Sequence, residues 1–335
     1  MKESHTISAV YPPDNMVTVD FLSPRHTLPL VVKPLMKDLD LIEWGQVYHL
    51  QLDQYLQQYG AILFRNFSIS DAMAFEQFLN TVAGNLLEYQ YCSTPRSRVS
   101  GLIYSSTEYP ADQIIPLHNE ESYARSWPMR LGFFCATPPD TQGETPLADS
   151  RQVYAKIPPS IRKRFLKKKI MYVRNYGMGL DLSWEVVFQT TQKSAVENYC
   201  RQTGISFEWH GKDALRTWQV CPAVAIHPHT QETVWFNQAH LFHISNLPIH
   251  IREALLECLP EKDLPRQAYY GDGTAIEWET LDEIRKIYQE KTILFPWQKG
   301  DILLLDNMLT AHGRSAFSGS RQVLVGMASP YSLNE

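Results

Sequence analysis

The chain alternates between stretches whose apolar residues recur at helical spacing and short apolar runs closed by proline, glycine or aspartate. Gly60-Ala-Ile-Leu-Phe64 predicts a short buried strand. Ser70 then stands as an N-cap before Phe75, Phe78, Leu79 and Val82, whose i, i+3, i+4, i+7 spacing gathers them on one helix face. From Ser105 to Thr145 the apolar runs shorten and prolines interrupt them, the texture of strands entered and left by rigid turns. Two more helices follow: one capped by Ser160, and one opened by the capping box Thr280-Leu-Asp-Glu283 ahead of Ile284, Ile287 and Tyr288.

Near the C-terminus, Ile302-Leu-Leu-Leu305 is too short for a helix and apolar on both faces, which predicts a central strand. His312-Gly-Arg314 reads as a polar turn, and a last strand runs from Gln322 to Ala328. Strands and helices without a strict βαβ rhythm point to an α+β fold. A β-sandwich or jelly roll with helical insertions satisfies the pattern.

Composition narrows the classes. At 335 residues, 44% hydrophobic and 20% charged, the chain has ordinary globular composition. A net charge of −5 argues against nucleic acid as a partner, and six basic residues between Arg162 and Lys169 read as a solvated helix face. The five cysteines (Cys92, Cys135, Cys200, Cys221, Cys258) form no C-x-x-C pair, which fits a reducing compartment and neither a disulfide framework nor a zinc site. The N-terminus lacks a signal-peptide core and the apolar stretch Leu28–Met36 is broken by Pro29, Lys33 and Pro34, so a cytoplasmic protein without membrane partners is expected.

The candidate chemistry begins at Leu117-His118-Asn119-Glu120. On an extended segment residues two apart project to one face, so the imidazole of His118 and the carboxylate of Glu120 can converge on one ion. His312, after the central strand, is the candidate third ligand. Two histidines and one carboxylate leave half of an octahedral metal's positions open, as non-haem Fe(II) oxygenases require. The spacing alone also suits a surface loop. His227, His229, His240, His243 and His250 bring no carboxylate partner in comparable register and are read as structural or surface residues.

Neighbouring blocks change that weighting. Ile114-Ile-Pro-Leu-His118-Asn-Glu-Glu-Ser-Tyr123, Gly143-Glu-Thr-Pro-Leu-Ala-Asp149, Gly300-Asp-Ile-Leu-Leu-Leu-Asp-Asn307 and His312-Gly-Arg-Ser-Ala-Phe-Ser-Gly-Ser-Arg321 stand in one order. Together they resemble the taurine dioxygenase-like (TauD/TfdA, clavaminate synthase-like) family of Fe(II)/2-oxoglutarate dioxygenases. Ser106-Thr-Glu-Tyr-Pro110, Val173-Arg-Asn-Tyr176, Leu215-Arg-Thr217 and Val234-Trp-Phe-Asn237 bring the likeness nearest to the syringomycin-type branch.

The resemblance spans roughly Tyr59 to Ala328. It implies a single domain over 1–335 with a double-stranded β-helix core at about 59–328 and a helical insertion or lid at roughly 155–295. It further implies His118, Glu120 and His312 on iron, with 2-oxoglutarate and O2 as cosubstrates. Arg321 is expected to anchor the distal carboxylate of 2-oxoglutarate, which needs a permanent forked cation; Arg314 is its competitor, and Thr145 resembles the family's hydroxyl donor. The expected reaction is oxidative decarboxylation of 2-oxoglutarate coupled to hydroxylation of an unactivated C–H. Desaturation, cyclisation and a catalytically silent binding module remain alternatives. Related halogenases carry a small residue at the carboxylate position, so Glu120 favours oxygenation. The branch implies an amino acid or amino-acid derivative as substrate, free or on a peptide-synthetase carrier protein, with Asn237, Arg174 and Arg216 as candidate contacts. A homo-oligomer is left open.

Overall fold

A computed structural model describes residues 14–89, 91, 94 and 96–333. Cys92 and the N-terminal residues 1–13, on which part of the compartment reading rests, lie outside the described residues. The predicted strand at 60–64 appears as Ala61–Phe64, in an eight-stranded sheet ordered Val17–Ser23, His26–Pro34, Ala61–Phe64, Ile302–Asp306, Ser126–Thr137, Gln322–Ser332, Ile103–Ser105, Arg98–Ser100. His26–Pro34 and Ala61–Phe64 run parallel; the other pairs of this sheet are antiparallel.

Ile302–Asp306 lies between two partners and is buried at all five positions. Its side chains alternate between two cores. Ile302 and Leu304 pack with Phe64, Phe75, Phe78 and Leu79 beneath the helices Leu41–Tyr59 and Ala72–Val82, while Leu303 and Leu305 join Leu131, Phe133, Val323 and Leu147 on the other face. Leu147 belongs to a three-stranded sheet, Ile115–His118, Thr310–Arg314, Leu147–Asp149, which this second core packs against the large sheet. The helix Ala72–Val82 sits close because Gly132 and Gly326 face each other beneath it; a Cβ at either would run into the Leu79 side chain.

Several predicted boundaries shift. Asp71, one residue beyond Ser70, caps Ala72–Val82 by accepting from the backbone N–H groups of Met73 and Ala74. Ser160 lies inside a helix that starts at Pro159, since proline's fixed φ suits the first turn. The Thr280 box is displaced likewise. The helix Trp278–Lys291 begins ahead of it, yet buries Leu281, Ile284, Ile287 and Tyr288 as the apolar stripe requires.

The largest departure is His312-Gly-Arg314. It is no turn but part of the strand Thr310–Arg314, buried at every position and paired on both sides. Its polarity serves an internal site rather than solvent. The expected helical insertion also carries an antiparallel sheet, ordered Ser206–His210, Ala214–Cys221, Ile170–Tyr176, Arg266–Tyr270, so it is mixed in structure. No helix of the described residues is long and apolar enough to cross a membrane.

Candidate metal and cosubstrate site

The three-stranded sheet brings the candidate ligands together. His118 ends the strand Ile115–His118 and stands directly opposite His312 in the register, with ring centroids 4.6 Å apart. Glu120 is not on the strand, as alternation predicts, but in the turn just past it. That turn is held by Asn307, whose amide oxygen accepts from the Glu120 N–H at 2.7 Å and whose Nδ2 donates to the Glu120 carbonyl at 2.9 Å. One potential ligand atom from each of His118, Glu120 and His312 lies within 4.8 Å of the others.

Protonation states suit a cation. His118 Nδ1 lies 2.8 Å from the Pro116 carbonyl and donates to it, which leaves the Nε2 lone pair for a metal. Burial pushes the pKa of both imidazoles below the usual histidine value; for His312 the neighbouring His118 and the Arg96 guanidinium add to it. The rings are therefore neutral near pH 7. Two neutral imidazoles and a carboxylate, all converging in a buried site, form the donor set that Fe(II) takes in its facial triad.

Sequence reasoning does not reach Arg96. Its Nη2 donates to Glu120 Oε2 at 2.7 Å, with the two side chains 5% and 3% exposed, and its guanidinium lies 4.5 Å from the Tyr89 ring centroid. No short-range pattern marks it, because the pairing joins residues 24 apart across a loop.

A cavity beside the triad is lined by His118, His312, Phe133, Thr145, Arg96 and Arg321, with Arg314 also at its wall. The two candidate arginines differ in their partners. Arg314 donates to the carbonyls of Tyr109, Pro110 and Gln113 at 2.6 to 2.9 Å and so fastens the loop before Ile115–His118. Arg321 donates to the Gly143 carbonyl at 2.9 Å and, at 3.4 Å, to Ser106 Oγ. Burial, and then Arg314, lower the Arg321 pKa to about 10, as befits a desolvated cation that has no ion-paired carboxylate among the described residues. Thr145 Oγ1 accepts from Trp297 Nε1 at 3.1 Å, which leaves its own hydrogen free to donate.

Of the three residues suggested for substrate contact, Asn237 and Arg216 are engaged with the backbone. Asn237 uses its Nδ2 on the Ala223 carbonyl and its Oδ1 on the Ala239 N–H, so both amide ends serve the backbone. Arg216 pairs in register with Asn175 rather than Arg174 and donates to the Lys262 carbonyl, on the opposite face of the insertion sheet from Arg174. Arg174 is 2% exposed, with its guanidinium near the Tyr91 and Tyr176 rings.

The insertion touches the triad from behind instead. Gln238 donates to the Asn119 carbonyl at 2.8 Å, and His240 Nε2 donates to the Leu117 carbonyl at 3.0 Å, bracing His118 on both sides. His227 is buried against Asp306, and His229 and His250 are exposed, in keeping with structural or surface roles.

Comparison with known proteins agrees with this architecture. The family model described as "Taurine catabolism dioxygenase TauD, TfdA family" matches residues 31–328. The chain is 42% identical over 282 residues to the dapdiamide synthesis protein DdaC of Enterobacter agglomerans, covering 84% of this chain and 86% of that protein. It is 30% identical over 287 residues to a clavaminate synthase-like protein of Arabidopsis thaliana, covering 82% and 83%. Among solved structures, PvcB of Pseudomonas aeruginosa superposes with a TM-score of 0.58 at 15% identity, covering 96% of this chain and 94% of that one. That last likeness is one of fold.

Proposed function

This chain belongs to the TauD, TfdA family and is an Fe(II)- and 2-oxoglutarate-dependent oxygenase, and from that premise we propose that it hydroxylates an unactivated C–H of an amino acid or amino-acid derivative in specialised metabolism. Fe(II), 2-oxoglutarate and O2 supply the oxidising chemistry: decarboxylation of the cosubstrate to succinate and CO2, coupled to oxygenation of the substrate. His118, Glu120 and His312 hold the iron. Arg321 and Thr145 bind the distal carboxylate of 2-oxoglutarate.

The observation that carries this reading is a cavity that has both histidines of the triad and the desolvated Arg321 on its wall. A dianion with a metal-chelating end matches that wall. The eight- and three-stranded sheets are read as the two walls of a double-stranded β-helix. The whole chain acts as one domain, with the insertion as the lid that keeps water from the reacting centre. The substrate class draws support from DdaC, named for dapdiamide synthesis, and from PvcB, described as belonging to an isonitrile synthetic pathway. A carrier-tethered substrate would meet the exposed Lys163 and Lys167 on the helix Pro159–Lys168. The scattered free cysteines, Cys135, Cys200, Cys221 and Cys258, accord with a cytoplasmic setting.

The test is spectroscopic. Without O2, Fe(II) and 2-oxoglutarate added to the protein should produce a visible charge-transfer band, which His312→Ala abolishes and His229→Ala leaves intact. With O2, succinate should form. A band that survives in His312→Ala rejects the assigned ligands.

A further inference from the structure

Of the three proposed iron ligands, Glu120 is the one that lies outside every described strand. His118 and His312 stand opposite each other in register, so the ladder between their strands fixes both backbones. Glu120 comes two residues after His118, in a turn whose next residue, Glu121, has φ +55°. A turn without a strand neighbour has no ladder to hold its Cα atoms, and a misplacement of about 1 Å at a reacting centre costs on the order of a hundredfold in rate. Something other than the sheet must set where this carboxylate stands.

Asn307 is placed to do so. It is fully buried in the turn between the strands Ile302–Asp306 and Thr310–Arg314, five residues before His312. Its amide meets Glu120 as a strand neighbour would, with Oδ1 accepting from the Glu120 N–H at 2.7 Å and Nδ2 donating to the Glu120 carbonyl at 2.9 Å. Nδ2 also donates to the Pro128 carbonyl at 2.8 Å, and the Asn307 N–H to the Met129 carbonyl at 2.9 Å, so the amide is itself tied to the strand Ser126–Thr137 of the large sheet. From the other side, Asn119 Nδ2 donates to the Asn307 carbonyl at 2.6 Å. Asp306 fixes the turn by accepting from the N–H groups of Met308 and Leu309. Two of the three side-chain bonds of Asn307 thus end on one residue, Glu120. A carboxamide supplies the acceptor and both donors at once, whereas an aspartate would lack the donors and set its charge against two carbonyl oxygens.

We propose that Asn307 is a positioning residue for the metal, acting on iron binding through Glu120 by standing in for the strand neighbour which that ligand lacks. The segment 306–314 thereby carries one ligand, His312, and places another, so the geometry of the triad is set by this turn and strand together rather than by the turn that bears the carboxylate. This deepens the proposed function and rests on the assignment of His118, Glu120 and His312 as the ligands.

A double-mutant cycle on the full chain tests this. Metal affinity is measured by calorimetry without O2 for wild type, Asn307→Ala, Glu120→Ala and the double variant. Ni(II) is titrated beside Fe(II), because it binds nitrogen donors more tightly and keeps the affinity of the two-histidine variants within range. Asn307→Ala should weaken metal binding about tenfold or more when Glu120 is present and less than about twofold in the Glu120→Ala background, since losses that pass through a shared partner do not add. Near-UV circular dichroism of each metal-free protein is the control for folding. Where Asn307→Ala fails to fold, Asn307→Ser, whose hydroxyl can keep one of the three bonds, takes its place in the cycle with the same expected non-additivity. Equal losses in the two backgrounds, the mark of a general disturbance of the fold, overturn the inference, as does an unchanged affinity in the Asn307 variant. An unchanged affinity in Glu120→Ala rejects instead the ligand assignment on which the inference rests.

Discussion

Glu120 shows how one side chain answers to several constraints. Its backbone is held by Asn307 and its carboxylate by Arg96, both buried. Breaking a buried ion pair from one side typically costs about 3 to 5 kcal/mol. Arg96→Leu should therefore lower the denaturation midpoint of metal-free protein, and Fe(II) should restore more stability to this variant than it adds to wild type, because the metal takes over as counter-ion. Denaturant titrations with and without metal measure both effects. At the other end of the cavity, Arg321→Ala should weaken 2-oxoglutarate binding by about 30-fold or more, the equivalent of roughly 2 kcal/mol, with little change in Fe(II) affinity. Arg314→Ala should act mainly on stability, since its donors hold the carbonyls of Tyr109, Pro110 and Gln113. A larger loss of cosubstrate affinity in Arg314→Ala, read by calorimetry, would exchange the two roles.

Among the elements, the decisive pair is Ile115–His118 against Thr310–Arg314. Gly313 lies where these strands approach so closely that a Cβ would stand 2.5 Å from the Ile115 carbonyl oxygen and 3.2 Å from the Pro116 carbonyl carbon. Backbone cannot move aside as a flexible side chain can. Gly313→Ala should push the strands apart and separate His118 from His312, weakening Fe(II) binding by about tenfold or more, the equivalent of roughly 1.4 kcal/mol. Metal titration of folded protein checks this, with circular dichroism as the control for folding. The glycine thus has a packing reason beside the proposed iron ligand His312, which a reading of His312-Gly-Arg314 as a turn does not supply. Conversely, the helix Ala72–Val82 is legible in the sequence because its burial follows directly from the spacing of Phe75, Phe78, Leu79 and Val82. Only its cap differs, by one residue.

At the scale of the whole molecule, buried titrating groups set the response to acid. Burial, followed by Arg285, lowers His243 to about 4; burial lowers His240 to about 3 against the Leu117 hydrogen bond. Both are neutral in the folded chain, whereas in the unfolded chain they take up protons near the ordinary value of about 6.5. Their contribution to stability is complete above that value and is lost as pH falls through the interval down to their folded pKa values, at about 1.4 kcal/mol per pH unit for each. Asp306 acts lower. Against the opposing effect of burial, Arg130 and His227 hold its pKa below the usual carboxylate value, so its contribution is present above about pH 4 and lost below. Stability measured by urea unfolding should decline from about pH 6.5 toward pH 5. The double variant His240→Phe, His243→Phe should show a flatter decline; an unchanged slope would mean that other groups dominate.

The division between sequence and tertiary structure follows from the range of the forces involved. The strand Ala61–Phe64, the helix faces and the central strand Ile302–Asp306 are readable because apolar periodicity is a local consequence of burial. The triad is readable because ligand chemistry restricts residue type, and His118, Glu120 and His312 keep their order in recognisable blocks. Neither route reaches Arg96, Asn307 or Gln238. Their roles depend on contacts between segments distant along the chain, or on the direction of a side chain at a turn, and no local period encodes either. For the same reason Asn237 and Arg216, which sequence places beside the substrate, serve the backbone in the fold: a polar residue's partner is chosen by tertiary packing, and only the packed chain decides whether that partner is a carbonyl or a ligand.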